Sequence, residues 1–394
     1  MKTPHIVHLS TYSANHISIF QKACRSEAAE GYRVTQIVSH DRDEIVDGVE
    51  IRALPPSEGR LSRMTAFCWK MYREARRQNA DIYHFHHPDL IPTGLLLKLA
   101  GKKVIYNTRE CYRDKVLSMR WIPQLLRPIA SVAFTFYERI TSAAWDHVIV
   151  TDRYSARAFA GRPTSVVPNY PLLAPMERVA TGVRNKRTLI YVGGLSEDRG
   201  LLVMLKIAEL LREQNVELQL MGPCSFPEDE KRIRAVPYVQ YLGNQDLRAV
   251  YQRIAEADLG LLLLQPVPAY AYAGENTIKL FEYMWGALPV VSSDFPNLRK
   301  IIEAAQCGIC IDPCNAKQAA SAIMDLLEKP ALRRQMGNNG RNAVLRAYNW
   351  PAASKVLSQV HKNVLSSNRS SVEPLPLWST QPIDAVQCST ATIA

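Results

Sequence analysis

The stretch "ENTIKLFEYMWGALPVV", Glu275 to Val291, decides the fold. It reads as a short helix opening near Asn276, a glycine stop at Gly286 and a buried strand behind Pro289. Ile278, Leu280, Phe281, Met284 and Trp285 give the helix an apolar body. Lys279 and Glu282 stand three apart and share one face. A helix delivered straight into a short, continuously apolar strand points to a parallel sheet covered by helices.

The same alternation runs outward in both directions. Upstream, "HIVHL" (5–9) precedes the amphipathic "SIFQKACRSEAAEG" (18–31), and "DIYHFHHPD" (81–89), "KKVIYNTRE" (102–110) and "DHVIVTD" (146–152) alternate with helical segments. "PLLAPMERVATGVRNKR" (171–187) breaks the rhythm and reads as a linker. It then restarts with "TLIYVGGL" (188–195), "VELQLMG" (216–222), "VQYLG" (239–243), "LGLLLL" (259–264) and "GICIDP" (308–313). This predicts an α/β protein of two Rossmann-like, doubly wound domains. The expected boundaries are 1–174, completed by a last helix at 350–366, and 187–349. Residues 367–394 are Ser-, Thr- and Pro-rich and read as a disordered tail.

At 394 residues, two cores are the default. No secretory apolar core follows Met1, and "IASVAFTF" and "LGLLLL" are too short to span a bilayer. The expectation is a cytoplasmic protein, peripheral on the inner face of a membrane. The net charge is +11, and it is uneven: residues 1–186 carry 27 Lys and Arg against 17 Asp and Glu, the remainder 21 against 20. Either the front half meets an anionic partner, or the charge reflects a generally basic background. Nothing resembles a helix-turn-helix, a finger or an aromatic-basic sheet, so nucleic acid is not expected. "YRDKVLSMRWIPQLLRPIASVAFTFYERI" (112–140) mixes Lys115, Arg120, Arg127 and Arg139 with Trp121, Leu125, Leu126 and Phe134. That suits a helix on an anionic leaflet, or one packed on its own sheet with solvated charges. The eight cysteines read as reduced thiols, with Cys310 inside a strand pointing into the core.

Two features carry chemistry. "YVGGLSEDRGL" (191–201) is a strand, a Gly193–Gly194 turn and Arg199 before a helix. Glycines admit a ligand close to the backbone, and an arginine pairs with phosphate. The start of the helix near Asn276 offers backbone N–H groups to an anion, and a carboxylate such as Glu282 can accept from a vicinal diol.

Taken together these stretches resemble the retaining glycosyltransferases of family 4, with the GT-B fold of two domains facing across a cleft. "KLFEYMWGALPVV" is similar to the family's E-x-M-x-x-G-x-P-V-V signature, "YVGGLSEDRGL" to its V-G-R-L-x-x-x-K-G turn, and "DIYHFHHPDL" to D-x-x-H-x-H-x-P-x-L. The resemblance spans roughly Met1 to Leu365. It implies a hexosyltransferase-type enzyme that moves a sugar from a UDP- or GDP-sugar to a saccharide acceptor. That acceptor would be lipid-linked, in cell-surface polysaccharide synthesis, and no metal or other cofactor would be needed. Glu282 would hold the ribose and Arg199 the diphosphate, with Gly193, Gly194, Asn276, Thr277, Ile278 and Lys279 lining the donor site. Arg199, Arg109 and Glu275 would act in catalysis. The departures are Gly194 for the family's Arg, Lys279 for a common Pro, Glu275 one residue away from the expected acid position 274, and Asn107 and Arg109 for an Asp and a His. They leave two alternatives: a catalytically impaired partner protein, and a GT-B sugar-nucleotide epimerase. His84, His86 and His87 find no acidic or Cys partner at metal spacing and read as packing or acceptor contacts at a strand end.

Overall fold

The computed structural model describes residues 3–56, 59, 63–119, 121–173 and 187–366. The linker from 174 onward, Arg120 and the tail lie outside the described residues, so the linker and tail readings are not addressed.

The chain forms two compact units. One runs to Asn169 and includes the closing helix Trp350–Leu365; the other is Tyr170–Asn349. The first unit is built on an eight-stranded sheet of β1 (His5–Leu9), β2 (Arg33–Ser39), β3 (Glu44–Val46), β4 (Val49–Leu54), β5 (Ile82–His86), β6 (Val104–Thr108), β7 (His147–Val150) and β8 (Thr164–Val166). The order is β3-β4-β2-β1-β5-β6-β7-β8. All pairs are parallel except β3–β4, an edge hairpin that the sequence reading missed. Its turn is Asp47–Gly48, both at positive φ, the dipeptide that two-residue hairpins favour.

The second unit carries β9 (Arg187–Val192), β10 (Val216–Met221), β11 (Val239–Gly243), β12 (Leu259–Leu262), β13 (Val290–Ser293) and β14 (Gly308–Ile311), in the order β11-β10-β9-β12-β13-β14, all parallel. Parallel strands must bury both faces, and the strands here are near-continuous Leu, Val and Ile. Leu189, Leu218, Leu220, Leu259 and Leu261 pack against Leu201, Met204 and Ile207 of helix Leu201–Leu211 and Ile323 and Leu327 of helix Ala316–Leu327. The two-unit α/β architecture is that of the GT-B fold.

Several local expectations change. The helix of the opening stretch is Ile278–Trp285 and starts two residues late, because Asn276 turns its side chain back to the Gly274 amide (3.1 Å). The long segment after β6 divides into helix Tyr112–Leu117, a short turn Gln124–Leu126 and helix Arg127–Thr141. Cys24, Cys68, Cys111, Cys224, Cys307 and Cys310 are free thiols. Cys314, on the exposed turn after β14, is disulfide-bonded and departs from the reduced reading. Cys307 is fully buried, whereas Cys310 is half-buried.

Candidate active site

Among the parallel strands of each sheet the order reverses once, between β1 and β5 and between β9 and β12. Such switch points open a crevice beyond the carboxyl ends of the strands, where doubly wound sheets take ligands. The chemistry of both units gathers at these points.

In the second unit, β9 is followed directly by Gly193 and Gly194. Gly193 has φ 125, and a Cβ there would lie 2.0 Å from Cε of Lys279. A Cβ at Gly194 would lie 2.5 Å from a guanidinium nitrogen of Arg199. The glycines therefore make room for two cationic side chains over one turn. The Lys279 ammonium donates to the Tyr191 hydroxyl (2.8 Å) and sits 4.7 Å from that ring's centre. Tyr191 donates to the Gly194 carbonyl (2.9 Å). Arg199 donates to Tyr270 (2.9 Å), which hangs from the loop after β12. Burial, then the neighbouring Arg199 charge, pull the Lys279 ammonium down to about 7, against the opposing pull of Glu282. Helix Ile278–Trp285 thus turns Lys279 toward the Gly-Gly turn and buries Leu280, Phe281, Met284 and Trp285. A surface ion pair is not what Lys279 and Glu282 form: Lys279 is half-buried on Tyr191. Glu282 also faces Tyr251, whose pKa is raised by burial first and then by this carboxylate.

The acid-position shift has a steric reason. A Cβ at Gly274 would lie 2.7 Å from Cβ of Asn297, so a glutamate cannot stand there in this packing. Glu275 lies near Tyr348, whose pKa burial and then the Glu275 charge raise. The Thr277 amide is already spent on the Gly274 carbonyl (2.9 Å), which removes it from the expected set of anion-binding amides. Gly193, Gly194, Arg199, Lys279 and Glu282 are brought together, with Ile278 opening the helix that carries two of them. Tyr191 and Tyr270 were not foreseen; the sign of Tyr191 in the sequence is a phenol two residues before a Gly-Gly turn.

In the first unit, Arg109 follows β6. Burial pulls its guanidinium down to about 10, which leaves it charged at neutral pH. Around it stand Tyr12, His16, His87 and Tyr112. Tyr12 stacks on His16 (4.3 Å between centroids) and meets the edge of His87 (4.0 Å). His87 bonds the Tyr112 hydroxyl (3.1 Å) and has φ 83, a conformation non-glycine residues rarely hold. Burial and then Arg109 lower His16 to about 4 and His87 to about 3, so both are neutral at pH 7. Nδ1 of His16 and Nε2 of His87 are buried without a hydrogen-bond partner, as polar groups that wait for a ligand are. His84 lies inside β5 and His86 ends it, one residue before His87. Both are fully buried and turned away from solvent, with His8 and Glu27 beside them. The expectation that no acidic residue reaches these histidines is thus corrected: sequence spacing hides Glu27, which a helix delivers.

Residues 176–343 match the family model "Glycosyl transferases group 1", and residues 20–170 match "Glycosyltransferase Family 4". The chain belongs to the group 1 glycosyltransferases of family 4. Among curated relatives, a phosphatidyl-myo-inositol mannosyltransferase of Mycolicibacterium smegmatis is 25% identical over 342 residues, 82% of each chain. Among solved structures, sucrose-phosphate synthase of Thermosynechococcus elongatus superposes with a TM-score of 0.73 at 17% identity, covering 93% of this chain and 100% of the other. HepE of Anabaena, solved with UDP and glucose, does so at 0.65 and 17%, covering 91% and 99%. This glycosyltransferase has no helix, among the described residues, long and apolar enough to cross a membrane.

Proposed function

We propose that this glycosyltransferase moves a sugar from a UDP- or GDP-sugar to a lipid-linked saccharide, with retention at the anomeric carbon and no metal in the transfer step. The role would be assembly of a cell-surface polysaccharide. The observation that carries the reading is the convergence of Arg199 and Lys279 on the Gly193–Gly194 turn at the switch point. When the glycosidic bond breaks, its electrons go to the diphosphate, and these two cations answer the charge that develops there. Lys279 supplies the charge that the family's Arg would bring at 194, a position whose Cβ would meet Arg199. Glu282 accepts hydrogen bonds from the ribose hydroxyls. The acceptor's proton passes to the departing phosphate oxygen, so Arg109 need not be a base; it and the neutral His16 and His87 bind acceptor or sugar hydroxyls. Glu275 contributes to placing the donor sugar. The UDP bound to HepE and the lipid named for the mycobacterial relative support this choice of partners.

Membrane docking rests on helix Arg127–Thr141. It buries Ser131, Glu138 and Thr141, while Ile129, Val132, Phe136 and Ile140 face outward in line with Leu125 and Trp121. Leu125 is 90% exposed and Phe136 66%. An apolar stripe in that setting suits insertion at a lipid interface beside basic residues.

The test is calorimetric titration with UDP and GDP against the native protein and Glu282→Ala. One nucleotide should bind the native protein, and the substitution should abolish it. If neither binds, the donor site is not here and a non-catalytic partner role takes its place. Release of nucleotide in the absence of any acceptor, with an altered sugar, would favour the epimerase.

A further inference from the structure

Behind the acceptor-side residues, the first unit buries a cluster that the transfer reaction does not use. His8 on β1, His84 and His86 on β5, Glu27 on the short helix Arg25–Ala29 and His361 on the closing helix are at most 2% exposed. In the sheet register His8 lies between Gln36 of β2 and His84 of β5, so the three project from one face. The rings lie close: His84 stacks on His86 at 4.6 Å and meets His8 at a tilt at 4.7 Å, with the edge of His361 at 5.8 Å from His84.

The hydrogen bonding divides this cluster into two roles. Both nitrogens of His8 are engaged: Nε2 with Glu27 Oε2 (2.6 Å), Nδ1 with His86 Nε2 (2.9 Å). The other groups are left over. Glu27 Oε1, both nitrogens of His84 and both of His361 are buried with no hydrogen-bond partner. Glu27 Oε1 lies 3.7 Å from His361 Nε2. One donor atom from each of Glu27, His84 and His361 falls within 4.8 Å of the others. Buried imidazoles and a carboxylate oxygen without partners are costly in a dry interior. A divalent ion would satisfy all three at once.

We propose that Glu27, His84 and His361 form a structural site for a divalent transition ion of the zinc class. Two imidazole nitrogens and one carboxylate oxygen are ligands such ions accept, and a tetrahedral ion keeps its fourth position for water. His8 is the positioning residue: it fixes the second carboxylate oxygen of Glu27 and is itself held by His86, the arrangement that tunes metal ligands from behind. Because the ligands come from the first helix, the central strand and the closing helix, the ion clamps the closing helix to the sheet. Ser26 and Glu30, on either side of Glu27, already hold that helix through Trp350 (2.8 Å) and Ser358 (2.6 Å). This site is separate from the donor site, so transfer without a metal and a metal in the fold are compatible.

The experiment uses tag-free full-length protein. Metal content is measured after dialysis, and the chelated apoprotein is titrated with Zn2+ against a chromophoric chelator and with Co2+. About one ion per chain, a Co2+ absorption spectrum of four-coordinate form and a higher Tm than the apoprotein are expected. His361→Gln should lose the ion. His8→Gln should bind Zn2+ roughly 10- to 100-fold more weakly. His5→Gln, a buried histidine bonded to Thr35, should keep it. The proposal is overturned if the native protein holds no ion, shows no Co2+ spectrum and gains no Tm with Zn2+, or if His361→Gln folds and keeps full affinity. The spectrum of the native protein decides the matter even if a variant fails to fold.

Discussion

In the second unit, leucines and isoleucines fill the space between sheet and helices, and Arg199 and Lys279 appear where the strands end. In the first unit, one face of a sheet that is parallel but for its edge hairpin buries His8, Gln36, His84 and His86 between strands and helices. The helices differ in the same sense. Ile278–Trp285 turns its apolar side chains inward, whereas Arg127–Thr141 sends them outward and tucks Glu138 inside. The second unit gathers its cations at the rim and fills most of its interior with aliphatic side chains. The first unit spends interior space on titratable groups, so its stability is tied to protons.

The largest effect expected from breaking this contrast lies in the second unit. Gly200 has φ 85, and a Cβ there would lie 2.0 Å from the Leu263 carbonyl oxygen. Gly200→Ala combines backbone strain with overpacking and should cost about 3 kcal/mol. Urea denaturation would show it, with hydrogen exchange accelerated in the second unit while the first keeps its protection.

The next effect belongs to the first unit. Burial raises the Glu138 carboxyl to about 7, although a hydrogen bond from Tyr106 (2.6 Å) works against the rise. The folded state therefore holds a proton that the unfolded chain releases above its ordinary value near 4.5. Stability from this group should fall as pH rises from about 4.5 to 7, by on the order of 3 kcal/mol. Glu138→Gln should flatten that slope in urea titrations at a series of pH values; an unchanged slope would mean that the carboxyl is ionised in the fold.

A smaller effect is expected at the rim of the second unit. Lys279, set among Tyr191, Arg199 and Glu282, sits near neutrality. A bound diphosphate favours its charged form, so UDP or GDP affinity should weaken by roughly 10-fold as pH rises from 6 to 8. Lys279→Ala should bind more weakly and lose this dependence, read by calorimetry at each pH. The smallest effect on stability should come from Ile129→Ser with Phe136→Ser. Exposed positions shift unfolding by about 0.5 kcal/mol or less, yet flotation with anionic vesicles at low salt should be lost. Retained flotation would remove the membrane reading.

The contrast also explains what could be read from the sequence. The alternation of short apolar runs with helical segments carries the two parallel sheets. The Gly193–Gly194 turn and the Lys279–Glu282 helix are local, so their residue types speak for themselves. Two things were hidden. Periodicity shows that Arg127–Thr141 is amphipathic, but it is the same whichever side meets the sheet. The histidine cluster joins positions 8, 27, 84 and 361, and no spacing rule spans those distances; only the register of β1 with β5 and the return of the closing helix assemble it. Lys279 was read as a possible cation for the donor, but its bond to Tyr191 required the strand and helix to be placed in space.

The closing helix has a consequence for synthesis. The first unit is interrupted in the chain: its sheet is finished by Thr164–Val166, but Trp350, Ser358 and His361 arrive only after the whole of Tyr170–Asn349 has been made. On the ribosome, the stretch Tyr170–Asn349, which holds the whole six-stranded sheet, is made before Trp350. The earlier-made sheet must wait, with Glu27 and His84 lacking their last neighbour, until residue 365 has emerged. Domains usually mature in the order in which they are translated; here a chain stalled before Trp350 would hold the complete second sheet beside a first unit that lacks its closing helix.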